Sequence, residues 1–270
     1  MKKILLLLIY VLLLATLSTN AFASNTYDLP KLNLSLDSPD DWIVITRNPD
    51  DNEEAENLFG TDSTTIINFL EQREIHINFS KNDSSEEIFI TMFDDEGSKD
   101  VVSLNSLSDK QLEKFADTIM NTSYEDVKDM VAEQSYDGIV AEGVDWLKYE
   151  IYDHKQATFV KFYLNKIILG IEYPSIQYTT IQNGQTISIT VISYTGELSE
   201  SLESVSKEVI DSITFTKLAE RKAGIDYNEA MKSGLVTGCL CAAAAGLFYL
   251  INGKNKNNNK YTSSFPNKKL

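Results

Sequence analysis

The sequence predicts an α+β domain, in which an antiparallel sheet is flanked by helices, followed by one C-terminal transmembrane helix. Three observations lead to this prediction. Strand patterns separated by turn residues open and close the domain, with helical spacing between them near residue 110. A last helical pattern follows the strands. Beyond it, residues 233–251 contain no charged side chain, and a helix of that length is about 28 Å long, close to the bilayer core.

The first 23 residues have the pattern of a secretory signal peptide. Lys2 and Lys3 precede an apolar run over residues 4–17, and Ala21 and Ala23 provide the small residues of a cleavage site. We expect cleavage after Ala23. An uncleaved signal anchor is the alternative, and the sequence leaves the choice open.

The domain itself is expected over residues 24–217. Alternating Leu32, Leu34 and Leu36 predict a strand, and a second strand is predicted at 42–46. Residues 48–57 are predicted to be an acidic loop, and a helical turn before Gly60 is the alternative. Ser63 or Thr64 is expected to cap a short helix over residues 66–73.

The middle of the domain combines one strand with two helices. A strand is predicted at residues 87–93. Ser108 and Gln111 form a capping box that opens a helix with apolar residues at helical spacing. A second helix is predicted at 124–133, with Ser123 as its cap.

The last part of the domain is rich in strands. The dipeptide Asn183-Gly184 between alternating apolar residues predicts a tight hairpin. A helix is predicted at 198–213, with a short final strand near 212–216. The other strands are predicted at residues 144–152, 158–164, 167–173, 176–181 and 186–193.

Two segments resemble the beginning and end of PsbP-like α/β/α sandwich domains, as in uncharacterised membrane-anchored surface proteins of Gram-positive bacteria. They are LPKLNLSLDSPDDWIVITR at residues 29–47 and IQYTTIQNGQTISITVISYTGELSESLESVSKEVIDSITF at residues 176–215. The resemblance implies an antiparallel sheet between helices and a non-enzymatic binding or assembly role. It carries over no functional residue.

Charge divides the chain into an acidic outer part and a basic tail. The net charge is −16 overall, but all 40 acidic residues fall within residues 24–232, which carry a net −23. Such a balance disfavours nucleic acid and anionic lipid head groups as partners, and favours cations or basic partners. Residues 218–232 are expected to be a juxtamembrane linker. The tail at 252–270 holds five lysines and no acid, as expected of a cytoplasmic end.

We expect no enzyme. His76 and His154 are the only histidines, and both are expected in turns or facing solvent. The two cysteines, Cys239 and Cys241, lie inside the predicted span, so the domain has no thiol nucleophile. Paired carboxylates leave a cell-wall-active hydrolase as the alternative. No cofactor is expected.

Two acidic loops raise the question of calcium. Residues 50–54 form one oxygen-rich loop, and Asp94, Asp95, Glu96 and Asp100 form another. Neither keeps the spacing of an EF-hand. Two solvated acidic loops are the alternative interpretation.

The transmembrane segment has a stripe of small residues that suits contact with another helix. Gly234, Gly238, Ala242 and Gly246 recur at every fourth position. We therefore expect self-association or pairing with a partner's span; a plain anchor is the alternative. Taken together, the sequence predicts a membrane-anchored extracellular binding, sensing or assembly module with an unidentified protein partner and ligand.

Overall fold

A large antiparallel sheet forms the centre of the domain. In the computed structural model, residues 25–94, 96–122, 143–168 and 170–219 are described. Seven strands pair in the order β3-β4-β5-β9-β8-β7-β6, and every pair is antiparallel. The strands are β3 (Trp42–Thr46), β4 (Ile75–Lys81), β5 (Glu86–Phe93), β6 (Gly143–Asp153), β7 (Thr158–Ile168), β8 (Ile171–Gln182) and β9 (Gln185–Ser193).

A second, smaller sheet joins the two ends of the domain. Its order is β1-β2-β10, again antiparallel, with the central strand β2 contacting both others. Its strands are β1 (Thr26–Leu29), β2 (Leu34–Asp37) and β10 (Thr214–Phe215). The sequence predicts β2 and β10 but not β1, and Leu32 belongs to a 3-10 turn at Pro30–Leu32 rather than to a strand.

Five α-helices accompany the strands in the described part of the chain. They are α1 (Glu53–Phe59), α2 (Ser63–Gln72), α3 (Glu96–Val101), α4 (Asp109–Met120) and α5 (Glu200–Ser212). In α2, Ile66, Phe69 and Leu70 are buried at i, i+3 and i+4, which gives the helix one apolar face. Short 3-10 turns lie at Pro30–Leu32, Pro49–Asp51 and Leu104–Ser106.

Alternation along each strand separates the large sheet into two buried faces. On β5, Ile88 and Ile90 belong to a core that also includes α5 and the small sheet. Phe89 points the other way, into a core with α1 and α2. The same second face continues under α4, through Val160 and Phe162 of β7. The expected antiparallel sheet with flanking helices is therefore confirmed.

Several local predictions are confirmed and others are wrong. The hairpin is confirmed, because Asn183 and Gly184 both have positive φ. The Gln111 side chain accepts a hydrogen bond from the Ser108 N–H at 2.9 Å, as a capping box requires. The cap of α2 is Asp62 instead of Ser63 or Thr64, since Asp62 Oδ1 accepts from the Thr65 N–H at 2.9 Å.

The strand boundaries between residues 158 and 182 were also wrong. The sequence predicts three strands there, whereas the chain forms two longer ones, β7 and β8. The connection between them includes Gly170, whose φ of 70° suits a tight turn. Residues 48–57 form a 3-10 turn and most of α1 rather than a loop, and α1 ends immediately before Gly60, as the alternative of a helical turn there expected. The strand β4 was not predicted.

Several predictions fall on residues outside the described ranges. These are the signal peptide, the helix at 124–133, the linker at 218–232 beyond residue 219, the transmembrane helix at 233–251 and the basic tail. Among the residues that the structure describes, no helix is long and apolar enough to cross a membrane.

Candidate functional site

An open groove of about 740 Å³ lies between the two sheets, along the outer edge of β3. One wall is the turn after β3 together with α1. The opposite wall comes from the beginning of β1. The lining residues are Asn25, Tyr27, Asp41, Trp42, Ile43, Val44, Asp50, Asp51, Glu53, Glu54, Asn57 and Asn82.

The groove is strongly acidic. Its lining contains five acidic residues and no lysine or arginine: Asp41, Asp50, Asp51, Glu53 and Glu54. A concave surface lined by charges of one sign concentrates the electrostatic field. The groove is therefore suited to attract a positively charged group or segment.

Local backbone interactions favour acidic residues in the turn after β3 and at the start of α1. Asn48 Oδ1 accepts a hydrogen bond from the Asp50 N–H at 3.4 Å, at the start of the 3-10 turn. Glu53 and Glu54 occupy the first turn of α1, where carboxylates interact favourably with the positive end of the helix dipole. The same residues that begin α1 thus supply the charge of the groove.

Tyr27 and Trp42 give the groove an aromatic, partly apolar side. Tyr27 packs edge-on against Phe79, with ring centroids 6.4 Å apart. Burial raises the pKa of Tyr27, and the nearby Asp51 and Glu54 raise it further. The phenol therefore stays neutral and remains a hydrogen-bond donor across the physiological range.

The backbone edge of β3 is closed at one end by a side chain. Asn52, which is fully buried, accepts a hydrogen bond from the Thr46 N–H at 3.0 Å and donates one to the Thr46 C=O at 2.9 Å. Both backbone groups of Thr46 therefore point away from β4. The rest of that edge borders the groove at Val44 and Trp42.

A separate cluster of ionisable groups is buried beneath α1 and α2. The Tyr194 hydroxyl donates to Glu87 Oε2 at 2.9 Å, and Lys166 Nζ lies 4.9 Å from the centre of the Phe89 ring. Burial raises the pKa of Glu87 to about 7 and lowers the pKa of Lys166 to about 7. Glu87 and Lys166 are both fully buried and neither lines the groove, so a macromolecular ligand does not reach them.

The prediction that each histidine lies in a turn or faces solvent is wrong for His76, whereas His154 does lie in the turn between β6 and β7, where its backbone N–H donates to the Ala157 C=O at 3.1 Å. His76 lies in β4 and is 7% exposed, and burial lowers its pKa to about 3, with smaller effects of Arg47 and Lys31. His154 is 9% exposed, and its Nδ1 accepts from the Gln156 N–H at 3.3 Å. His76 is covered because the sheet is packed on both faces, and His154 packs against Phe159 and Phe215, with ring centroids 5.8 Å and 6.5 Å away.

The structure separates the two acidic loops proposed for calcium. Residues 50–54 line the groove, whereas Asp94 forms an ion pair with Lys99 at 3.3 Å. Within the described ranges, no group of three or more His, Cys, Asp or Glu side chains is arranged to hold a metal ion. The helix-contact residues Gly234, Gly238, Ala242 and Gly246 lie outside the described residues.

The sequence pointed to one wall of the groove but not to the groove itself. The acidic run at 50–54 is visible by inspection. Asp41, Tyr27 and Trp42 are distant from it along the chain, and the fold brings them to the same groove. No local sequence pattern connects these residues with the acidic run.

Comparisons with known proteins place few constraints on this site. No protein-family model matches the chain, and no curated protein matches it. Among solved structures, the chain is similar to cyanobacterial PsbP (CyanoP) from Synechocystis sp. PCC 6803, at 12% identity and a TM-score of 0.39. The match covers 73% of this chain and 96% of the other. A likeness this distant carries no functional argument.

Proposed function

We propose that this protein is a membrane-anchored extracellular binding module whose acidic groove takes a positively charged partner. The single observation that carries the proposal is the groove lining, which has five carboxylates and no basic residue. Opposite charge accelerates encounter and selects against acidic partners. The predicted signal peptide and the uncharged segment at 233–251 support the placement outside a membrane.

A binding role is favoured over the hydrolase alternative by the position of Glu87, the carboxyl group with a raised pKa among the residues that the structure describes. Glycoside hydrolysis needs a general acid with a raised pKa that contacts the substrate. Glu87, whose pKa is about 7, is fully buried and hydrogen-bonded to Tyr194. It is therefore out of reach of a polysaccharide in the groove.

The proposal is tested by measuring how the full chain, held in micelles of a non-ionic detergent, binds fluorescent octalysine. One variant combines Asp50→Asn, Glu53→Gln and Glu54→Gln, three exposed positions of the groove. The matched control combines Glu71→Gln, Glu113→Gln and Glu197→Gln, which are exposed and do not line it. Both variants change the net charge by the same amount.

We expect the groove variant to weaken octalysine binding by about tenfold or more, equivalent to about 1.4 kcal/mol. Its affinity should also depend less steeply on salt, because fewer charge pairs are screened. The control should stay within about threefold of the unmodified chain. No measurable binding, or equal weakening by both variants, would contradict the proposal.

The placement outside the membrane has its own test. Proteinase added to intact cells should remove the domain over residues 24–217 and leave the C-terminal tail protected. A domain that resists digestion until the cells are permeabilised would contradict the extracellular placement.

A further inference from the structure

We propose that the groove binds its partner by strand addition, in which an extended segment of another protein, carrying Lys or Arg at alternate positions, pairs with the free edge of β3. The inference rests on the proposed function, because it takes the groove as the binding site. It adds the chemical class of the partner and the way in which its backbone is recognised.

The direction of the backbone groups along β3 follows from Thr46. Its N–H and C=O both bind the Asn52 side chain, so they point away from β4. β3 pairs with β4 without a bulge, from Trp42 opposite Lys81 to Thr46 opposite Ile77. In an antiparallel ladder, residues two apart point their N–H and C=O to the same side. Val44 and Trp42 therefore direct theirs outward, into the groove.

These outward groups are available for pairing. β3 is the first strand of its sheet, with β4 as its one neighbour in the described ladder. The backbone groups of Val44 and Trp42 on this side have no hydrogen-bond partner in the parts of the chain that the structure describes. Asn52 occupies the same side at Thr46, so the open stretch begins immediately before it.

The other edge of the sheet shows how an exposed strand is usually protected. β6 has a register shift between Trp146 and Lys148, and a bulge of this kind twists an edge away from further pairing. Lys148 itself is exposed, and a charged side chain at an edge has the same effect. The register of β3 with β4 contains no such shift.

The charge around β3 selects among possible occupants. A second copy of this chain would bring residues 24–232, with a net charge of −23, against five groove carboxylates. Like charges across an interface disfavour such pairing. A basic segment gains from the same carboxylates. The partner is therefore an extended cationic segment of a different protein.

The two sides of the groove also predict a pattern in the partner. Trp42 and Val44 pack with Tyr27 on the face of the central core. Ile43 lies on the opposite face, with α1, whose first turn carries Glu53 and Glu54. Because side chains of a strand alternate between faces, an added strand should place basic residues toward α1 and apolar residues toward Tyr27.

The decisive experiment is residue-resolved amide hydrogen exchange of the full chain in detergent micelles, with and without an octapeptide of alternating Lys and Val. We expect exchange of the Val44 N–H to slow by about tenfold or more at saturating peptide. Ile43 and Ile45, whose N–H groups point toward β4, are internal controls and should change little.

A backbone variant tests the same contact. Val44→Pro removes the outward N–H and leaves the ladder with β4 intact, as proline allows only at an edge position. It should weaken octapeptide binding by about tenfold, while Val44→Thr, which keeps the N–H, should stay within about threefold. If Val44→Pro does not fold, the exchange measurement on the unmodified chain remains the test.

The results of these experiments distinguish failure of strand addition from failure of the acidic binding site. Salt-dependent binding of the octapeptide with unchanged exchange at Val44 would overturn strand addition and leave the acidic binding site standing. No binding of either octalysine or the octapeptide would overturn both. Protection at Val44 together with the loss in Val44→Pro is the result that supports strand addition.

Discussion

The Asn52 carboxamide pairs with the backbone of Thr46 as a neighbouring strand would, accepting from its N–H at 3.0 Å and donating to its C=O at 2.9 Å. Asn52 also donates to Ser63 Oγ at 3.2 Å, at the start of α2. One buried side chain thus ties the end of β3 to both helices on that side. It also marks where the open edge of β3 stops.

Replacing Asn52 should destabilise the domain. Asn52→Ala leaves the buried N–H and C=O of Thr46 without partners, and we expect the free energy of unfolding to fall by about 2–3 kcal/mol. The control is Asn57→Ala, which removes one exposed bond to the Glu53 carbonyl and should cost less than about 0.5 kcal/mol. Urea unfolding of the two variants measures the difference. Equal losses would contradict the role assigned to Asn52.

Glu87 should make stability depend on pH. Its pKa is about 7 in the folded protein, against an ordinary value of 4.5. Between these values the folded state keeps a proton that the unfolded state has lost. The stabilising contribution is therefore complete below pH 4.5 and is lost as pH rises through 7.

Glu87→Gln removes this titration. We expect the free energy of unfolding of the unmodified chain, relative to the variant, to fall by up to about 3 kcal/mol between pH 4.5 and 7. Lys166, whose pKa is about 7 in the folded protein, is charged in both states well below that value, so the Glu87 effect is read most cleanly between pH 4.5 and about 6. Parallel pH curves for the two proteins would show that Glu87 is ionised in the folded state.

His76 should have the opposite dependence. Burial lowers its pKa to about 3, from an ordinary 6.5, so its contribution is complete above pH 6.5 and is lost as pH falls toward 3. We expect His76→Leu to gain stability relative to the unmodified chain on acidification from pH 6.5 to 5. Measuring unfolding at both pH values checks this, and a constant difference would contradict a buried neutral imidazole.

Gly184 should tolerate alanine less well than Gly170. Both have positive φ, at 76° and 70°, so a side chain is strained at either position. A Cβ at Gly184 would also lie 3.2 Å from Lys99 Cα, whereas a Cβ at Gly170 would meet no atom of the described residues within 4 Å. We expect Gly170→Ala to cost about 1 kcal/mol and Gly184→Ala to cost clearly more. Thermal unfolding of the two variants checks this. An equal fall in melting temperature would mean that α3 does not pack closely against the hairpin at Gly184.

Features set by a few neighbouring residues could be predicted from the sequence. The Asn183-Gly184 hairpin and the Ser108–Gln111 cap depend on local backbone chemistry, and both are present. The strand β4 was missed, although Ile77 and Phe79 alternate with Asn78 and Ser80. Both sets are buried, because each face of the sheet is covered, so the polar residues do not mark a solvent side.

The groove depends on contacts that no local pattern encodes. Its acids at 50–54 are visible as a run, but Asp41, Tyr27 and Trp42 line the same groove only once the chain is folded. The direction of the outward backbone groups of β3 could not be predicted from the sequence either. It follows from the bond between Asn52 and Thr46, which spans six residues and requires the turn between them.

Photo-crosslinking shows most directly whether a basic extended segment occupies the groove. A photoreactive amino acid replaces Asn82, an exposed and uncharged residue of the groove, in the full chain mixed with the alternating Lys–Val octapeptide. The control position is Glu113 on α4, outside the groove. We predict a peptide adduct from position 82, suppressed by high salt, and none from position 113. Equal adducts from both positions, or none from position 82 under conditions where the peptide binds, would contradict binding of the peptide in the groove.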